Sequence, residues 1–266
     1  MSPTKSHPDP YSLYADEEPL ASQCYVDLAA GHPAKFTFDS TGGPVEISLS
    51  ESYMKDDVHA TGFTTWSSSV LLARRFVSSP STYFPKSSQT GKAVRILELG
   101  SGTGLAGIAA MHALSQQQPG VQASVTLTDY DEATLSTLKD NAERNPVINI
   151  TSNLVCDVRR FAWQDASSFA GERYDVIIGA DIIYEMDHPR LVYDVVQSLL
   201  AKQGIFHLVV PIRHTHEADI KKLEEMFRSP SGTGPCILMR EDIGVDDDVG
   251  LGQYAHRYYL IGYARG

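Results

Sequence analysis

The chain is poor in cysteine, in basic side chains and in long apolar runs, and each shortage excludes a class of protein. Its 266 residues include three cysteines, Cys24, Cys156 and Cys236, which lie far apart and form no C-x-x-C pair. A disulfide framework and a zinc site are therefore not expected, and no metal is predicted. Scattered cysteines of this kind are typical of a reducing compartment.

Basic residues are outnumbered, since the chain has 22 Lys and Arg against 33 Asp and Glu, a net charge of -11. No nucleic-acid partner is expected, because affinity for a phosphate backbone rests on clustered Lys and Arg. No apolar run approaches the roughly 20 residues that cross a bilayer, and the N-terminal segment lacks the apolar core of a signal peptide. We expect a cytoplasmic protein, with the nucleus as the alternative, and no membrane partner.

Composition divides the chain into an arm and one domain. Residues 1–33 are rich in Pro, Ser and acidic side chains and predict a poorly ordered N-terminal arm. Residues 34–266 form the predicted single domain. In its first part, 34–60, apolar residues alternate on both sides of "TGGP", which predicts a β-hairpin. The rest, 61–266, is the predicted α/β core, because strand and helix patterns alternate from Val94 onward and favour a mostly parallel sheet covered by helices on both faces.

Three finer predictions concern individual elements. Thr64 or Thr65 is expected to cap the first helix. The stretch "HPRLVYDVVQSLLAKQG" predicts a helix closed by Gly204. The last two strand patterns follow one another without a helix between them, which favours an antiparallel edge of the sheet.

The most informative segment is "ELGSGTGLAG". Its glycines Gly100, Gly102 and Gly104 follow an apolar strand directly and lead into a helix. Residues without a Cβ let the backbone turn sharply and pass close to a ligand, and the helix N-terminus offers free amides. The segment therefore predicts the binding loop of a nucleotide-type cofactor.

The glycine spacing of this loop can be compared with the patterns of two cofactors. A dinucleotide pattern G-x-G-x-x-G can be counted from Gly102, but counted from Gly100, which should open the turn, its third glycine falls on Leu105. The alternative pattern is acid-x-Gly-x-Gly-x-Gly, which begins at Glu98 and is typical of S-adenosylmethionine sites. A carboxylate at the strand end suits the cationic sulfonium of that cofactor, so S-adenosylmethionine is favoured.

A second carboxylate, Asp129, follows the next strand in "LTDYD". Either cofactor needs an acidic side chain at this place for its ribose hydroxyls. Asp129 could equally cap the helix that follows, but Asp131 is better placed as the cap. Asp129 is therefore predicted to bind the cofactor.

Residues 62–208 resemble the seven-β-strand S-adenosylmethionine methyltransferases and, more narrowly, the family 16 group of protein-lysine methyltransferases. The similar stretches are "GFTTWSSSVLLARRF", "ILELGSGTGLAGIAA", "LTDYD", "FAWQD" and "GADIIYEMDHPRLV". The resemblance implies a Rossmann-like, doubly wound sheet of seven mostly parallel strands with an antiparallel last strand, preceded by a β-hairpin. It also implies S-adenosylmethionine as cofactor and a monomer that methylates a lysine amine of a protein such as an elongation factor or a chaperone.

The resemblance also assigns individual residues. Asp181 and Tyr184, the family's Asp-x-x-Tyr motif, would be the catalytic pair that positions the substrate nitrogen. The residues that it places at the cofactor are Trp66, Glu98, Gly100, Ser101, Gly102, Thr103, Gly104, Asp129, Trp163 and Ala180.

The chemistry at Asp181 can be argued independently. A free lysine has a pKa of about 10.4, so its deprotonation at pH 7 costs roughly 4.6 kcal/mol. A carboxylate could grip the ammonium and orient the amine after its proton is lost, and most of the catalysis would be orientation and proximity. Tyr184 could flank the alkyl chain or accept a polar contact.

Several alternatives stay open on the residues alone. Asp181 could be a helix-start acid, and Tyr184 and the two tryptophans could be core residues. Arg213 and His214 follow the fifth core strand and are interpreted as solvent-facing, with a place at the substrate mouth as the alternative. At the level of function, the alternatives are a small-molecule N-methyltransferase of the nicotinamide or amine type, an NAD(P)-binding oxidoreductase, and a methyltransferase fold kept only for interaction.

Overall fold

The computed structural model describes residues 33–51, 61–85, 93–117, 122–145, 154–228, 234–244 and 254–264. The predicted N-terminal arm, apart from its last residue, lies outside these ranges, as do residues 52–60 of the predicted hairpin segment and residues 245–253. No helix among the described residues is long and apolar enough to cross a membrane.

The N-terminal hairpin is confirmed. Strands β1 (Ala34–Phe38) and β2 (Val45–Leu49) pair in antiparallel register. The turn between them places Gly43 at a φ of 109°, a left-handed conformation that suits glycine. Alternate residues of β2 are buried, so the hairpin packs as an extension of the main core.

The central sheet has seven strands among the described residues. They are β3 (Val94–Leu99), β4 (Ala123–Asp129), β5 (Leu154–Arg160), β6 (Tyr174–Ala180), β7 (Leu200–Pro211), β8 (Cys236–Ile243) and β9 (His256–Gly262). Their order across the sheet is β5-β4-β3-β6-β7-β9-β8. Among these seven strands, β9 alone runs opposite to the others, which confirms the predicted mostly parallel sheet with an antiparallel last strand.

Helices cover both faces of the sheet. They are α1 (Ser67–Ser78), α2 (Pro80–Tyr83), α3 (Leu105–Gln117), α4 (Glu132–Arg144), α5 (His188–Leu199) and α6 (Glu217–Met226), with short 3-10 turns at Thr61–Phe63, Ala166–Phe169 and His214–His216. One core joins α1, α3, α4 and the hairpin to the sheet, and the other joins α5 and α6. The two cores make this a doubly wound α/β fold, as predicted.

One local prediction is wrong and another is confirmed. The side chains of Thr64 and Thr65 do not cap α1; its N-cap is Trp66, without a capping side-chain hydrogen bond. The antiparallel edge is confirmed, because the edge strand β8 pairs with β9 in antiparallel register, with β9 inserted between β7 and β8. The insertion gives β9 a hydrogen-bonded neighbour on each side and leaves β8 at the edge.

The prediction for Gly204 is also wrong. Helix α5 ends at Leu199, and residues 200–204 already belong to β7. A Cβ on Gly204 would lie 2.9 Å from the carbonyl oxygen of Tyr174 and 3.0 Å from that of Asp175. The glycine is therefore needed for the close approach of β6 and β7, at a point where their register shifts.

Replacement of Gly204 by alanine is expected to destabilise the protein by about 1–3 kcal/mol, because the added methyl group meets backbone atoms that cannot turn aside. Urea unfolding measures the change. Gly244→Ala is the matched control, since a Cβ there meets nothing within 4 Å. Equal stability of the Gly204→Ala variant and the native protein would contradict the close-approach role.

Candidate active site

The candidate site lies where the order of the strands reverses. From β3 the chain moves outward to β4 and β5 on one side, then returns to β6 and β7 on the other. The carboxyl ends of neighbouring parallel strands leave a crevice at such a point, where ligands bind in open α/β sheets. A cavity of about 600 Å³ opens there.

Most of the predicted site residues surround this cavity. The predicted residues that line it are Trp66, Glu98, Gly100, Ser101, Gly102, Thr103, Asp129, Trp163, Ala180, Asp181 and Tyr184. Gly104 is the exception. A Cβ at Gly104 would lie 2.6 Å from Leu138 Cδ1, so this glycine allows α4 to pack against the loop.

The glycine loop adopts a conformation that other residues rarely reach. Gly100 and Gly102 have φ angles of 60° and 52°. A Cβ on Gly100 would lie 3.1 Å from Ile182 Cγ2 and 3.4 Å from Trp163 Cζ2, and one on Gly102 would lie 3.3 Å from the carbonyl oxygen of Gly62. Side chains at these positions would therefore crowd the cavity wall that a ligand would use.

Neighbouring segments hold the loop in place. The Ser101 amide donates to the Thr128 carbonyl at 2.7 Å, and the Thr128 amide donates to Ser101 Oγ at 3.0 Å. The Thr103 hydroxyl lies 2.8 Å from the Thr65 hydroxyl. The loop is thus tied to the end of β4 and to the segment that precedes α1.

Two buried asparagines, Asn141 on α4 and Asn145 directly after its last residue, connect the loop to the hairpin. Asn141 Nδ2 donates to the carbonyls of Thr103 and Ser50, and Asn141 Oδ1 accepts from the Ser50 amide at 2.6 Å. Asn145 pairs with the backbone of Ser48 in the same way. Sequence reasoning missed both residues, although their spacing of four in "NAERN" places them on one helix face.

Glu98 is buried beneath the glycine loop. Burial raises the pKa of its carboxyl to about 8, although hydrogen bonds from Ser101 and the Gly107 amide oppose the rise. Its Oε2 atom makes no hydrogen bond to the described part of the chain. A buried carboxyl oxygen without a partner fits a site that receives a cation or a hydrogen-bond donor.

Asp129 is held by backbone amides. Its carboxylate accepts from the amides of Gly102 at 3.1 Å, Tyr130 at 2.8 Å and Asp131 at 3.3 Å. Burial raises its pKa and these bonds oppose the rise. Asp131 caps α4 by accepting from the Thr134 amide, so the prediction that Asp131 is the cap is confirmed.

Asp181 stands at the end of β6 in a strained conformation. Its φ of 56° is the one left-handed angle of a non-glycine residue in the described ranges. Its two carboxylate oxygens each accept from Arg213, at 3.1 Å from Nη1 and from Nη2. Both side chains are buried, with exposed fractions of 5% for Asp181 and 7% for Arg213.

The solvent-facing interpretation of Arg213 is therefore wrong. Arg213 forms a buried two-pronged ion pair with Asp181 and lines the cavity. His214 does face solvent, since its side chain is fully exposed. The two neighbours differ because the chain turns into the 3-10 helix at His214–His216, and only Arg213 is directed inward.

Aromatic rings form part of the cavity wall. The ring of His188, at the start of α5, lies 4.4 Å from the ring of Tyr184 and 5.3 Å from that of Trp163. Trp163 also packs against the core beneath α5 and α6. His188 was not predicted, because a histidine at a helix start carries no signal of its own in the sequence.

The fold and the site together define a class. The chain is similar in fold to a Streptococcus mutans protein assigned to the S-adenosylmethionine-dependent methyltransferases, with a TM-score of 0.52 and 15% identity over 86% of this chain and 55% of that one. The family model described as "Lysine methyltransferase" matches residues 47–228. The chain belongs to this lysine methyltransferase family.

Curated relatives agree with that assignment. The chain is 27% identical to the protein-lysine N-methyltransferase EFM2 of Saccharomyces cerevisiae, over 70% of this chain and 45% of the relative. It is 28% identical to the protein-lysine N-methyltransferase rrg1 of Schizosaccharomyces pombe, over 78% and 64%. It is 35% identical to the protein N-lysine methyltransferase METTL21A of Mus musculus, over 49% and 56%. The chain thus spans less than two thirds of each of these relatives.

Asn141→Ala is expected to weaken S-adenosylmethionine binding about tenfold, because the Thr103 carbonyl loses the donor that fixes the glycine loop. Calorimetry measures the affinity, and urea unfolding measures a loss of about 2 kcal/mol. Asn145→Ala is the matched control, since it breaks the neighbouring bonds to Ser48 of the hairpin but removes no bond to the glycine loop. Equal affinities of the two variants would contradict the link.

Glu98→Gln is expected to change how stability depends on pH. The folded pKa of about 8 lies above the ordinary value of 4.5, so the folded state binds more protons between these values and loses stability as pH rises through them. Glutamine removes this cost, which approaches about 4 kcal/mol near pH 8. Urea unfolding of the ligand-free protein at pH 5 and pH 8.5 measures it, with exposed Glu46→Gln as control. A variant that loses as much stability as the native protein over this range would refute the assignment.

Proposed function

We propose that the protein transfers a methyl group from S-adenosylmethionine to the side-chain amine of a lysine in a protein substrate. One observation carries the proposal: the glycine loop, Glu98 and Asp129 share a single cavity with Asp181 and Tyr184. The first group is suited to a cofactor and the second to an acceptor. Family membership supports the same reaction.

The residues of the cavity fit S-adenosylmethionine. The space beside Gly100 and Gly102 would hold its amino-acid end, with the unpartnered oxygen of Glu98 beneath. Asp129 keeps lone pairs for the ribose hydroxyls, because a carboxylate offers about four acceptor sites. Trp163 would stack at the adenine edge. When bound, the cofactor supplies an electrophilic methyl group on a cationic sulfur.

The acceptor side must bind and orient an amine. Asp181 is fixed by Arg213 and directs its carboxylate into the cavity. Tyr184 is held edge-on against His188 and would flank the alkyl chain of the lysine. A target that arrives as ammonium must first lose its proton to solvent, so the side chains here contribute orientation more than proton transfer.

The choice of a protein acceptor over a small molecule rests on the relatives. Three of them are named as protein-lysine methyltransferases, and one from Xenopus tropicalis, 30% identical over 50% of this chain, is named EEF1A lysine methyltransferase 3. Elongation factor 1A is accordingly the first substrate to test, with chaperones next. A monomeric state and a cytoplasmic location stay predictions.

Cofactor binding tests the first half of the proposal. S-adenosylmethionine at 100 times its dissociation constant should stabilise the protein by about 2.7 kcal/mol, or a rise of roughly 5–10 °C in melting temperature. NAD and NADP should cause no shift. The reverse result would favour an oxidoreductase, and no shift with any of them would favour an interaction protein without catalysis.

Methyl transfer tests the second half. Labelled cofactor is incubated with the protein and with elongation factor 1A or a cell extract, and mass spectrometry locates the methyl group. Asp181→Asn should lose at least about 100-fold in rate, or about 2.7 kcal/mol of transition-state stabilisation, while its thermal shift with cofactor persists. Exposed Asp187→Asn is the control. A full rate in Asp181→Asn contradicts the role of Asp181, and label on a small amine instead of a lysine contradicts the protein substrate.

A further inference from the structure

The Asp181–Arg213 ion pair bears on the protonation state of the acceptor amine, and the Asp-x-x-Tyr motif alone does not reveal this. An unpaired carboxylate beside a lysine would favour the ammonium form, because an opposite charge nearby raises the pKa of the amine. That form has no lone pair to accept a methyl group. A lone Asp181 would therefore bind the lysine in its unreactive state.

Arg213 removes this difficulty. Its guanidinium meets both oxygens of Asp181 at 3.1 Å inside a buried site, so the pair presents no net charge to the cavity. Each oxygen keeps a further lone pair that can accept a hydrogen bond from a neutral amine. We propose that Arg213 is a positioning residue that fixes Asp181 and makes the acceptor site selective for the neutral amine. The inference rests on the proposed function.

The surroundings of the pair favour this reading. The guanidinium carbon of Arg213 lies 5.9 Å from the centre of the Trp66 ring and 5.8 Å from that of Tyr254. Aromatic faces can shield and hold a guanidinium. The pair therefore stands in a frame of Trp66, Tyr254 and the carboxyl end of β6, which keeps it fixed.

Two histidines lie close enough to Asp181 and Arg213 to interact with their charges. Burial first, and Arg213 second, lowers the pKa of His216, and burial lowers the pKa of His256; both are therefore neutral near pH 7. His256 Nε2 is engaged with the Ser67 hydroxyl at 2.7 Å. Other titratable groups that line the cavity are Glu98, Asp129, Tyr130, Asp131, Tyr184, Glu185 and His188.

The test compares pH–rate profiles of the full chain, with the acceptor protein found in the transfer assay. Arg213→Met removes the charge. Its kcat at pH 7.5 should fall by about tenfold or more while the KM for the acceptor stays equal or falls, because the ammonium form is now favoured. The midpoint of log kcat against pH should move up by about one unit, so the deficit shrinks at pH 10.

A second variant separates charge from geometry. Arg213→Lys keeps the positive charge but loses the two-pronged contact, so its midpoint should match that of the native protein while kcat falls several-fold. This variant carries the test if Arg213→Met does not fold, as judged by its melting temperature and its shift with S-adenosylmethionine. If the midpoint of Arg213→Lys rises by the same amount as is expected for loss of the charge in Arg213→Met, the inference is wrong.

A matched control excludes a merely structural role. Arg75 forms a similar two-pronged pair with Glu241, at 2.8 and 2.7 Å, outside the cavity. Arg75→Met should leave kcat, KM and the midpoint unchanged. If the native protein is active and the Arg213→Met variant keeps the native midpoint, the inference is wrong and the proposed function stands. A native protein that binds S-adenosylmethionine but methylates no lysine overturns the proposed function, and the inference with it.

Discussion

Three carboxyl groups buried at one edge of the sheet are the constraint around which the site is built. Glu98, Asp129 and Asp181 end or follow the adjacent strands β3, β4 and β6, and each is less than 9% exposed. Carboxylates are expensive to bury without compensation, and each is compensated in a different way. Burial raises the pKa of Glu98 to about 8, so it is mostly protonated near pH 7, three backbone amides hold Asp129, and a guanidinium pairs with Asp181. The glycine loop and Arg213 lie where they can compensate these buried carboxyl groups.

The compensation differs between Glu98 and Asp181. At Glu98, a carboxyl group can ionise when a cation arrives, because a positive charge nearby lowers its pKa. At Asp181, the charge of the carboxylate is balanced by Arg213, so it attracts a further cation less than an unpaired carboxylate would. A cationic methyl donor suits the first group, and a neutral amine acceptor suits the second. The asymmetry therefore matches the proposed reaction in its electrostatics as well as in its list of residues.

What could be predicted from the sequence depended on how far apart interacting residues lie in the chain. The glycine loop, the hairpin and the Asp131 cap are local, so spacing and residue type were sufficient. Arg213 is 32 residues from Asp181 in the chain, and Asn141 is 38 residues from Thr103. No local sequence pattern predicts contacts between residues so far apart. The prediction for Gly204 is wrong because "LLAKQG" continues the helical pattern of the sequence before it, whereas the reason for the glycine lies in the backbone of β6.

The backbone of Asp181 shows how the local and distant constraints meet. A left-handed φ of 56° costs on the order of 1 kcal/mol or more for a residue with a Cβ, and aspartate tolerates it better than most. In this conformation the Asp181 amide still donates to the Val209 carbonyl at 2.9 Å, while the side chain leaves the sheet toward Arg213. A glycine would reach the same backbone geometry without strain but would leave Arg213 without its carboxylate. The strain is thus retained because the charge partner of Arg213 must stand where the strand ends.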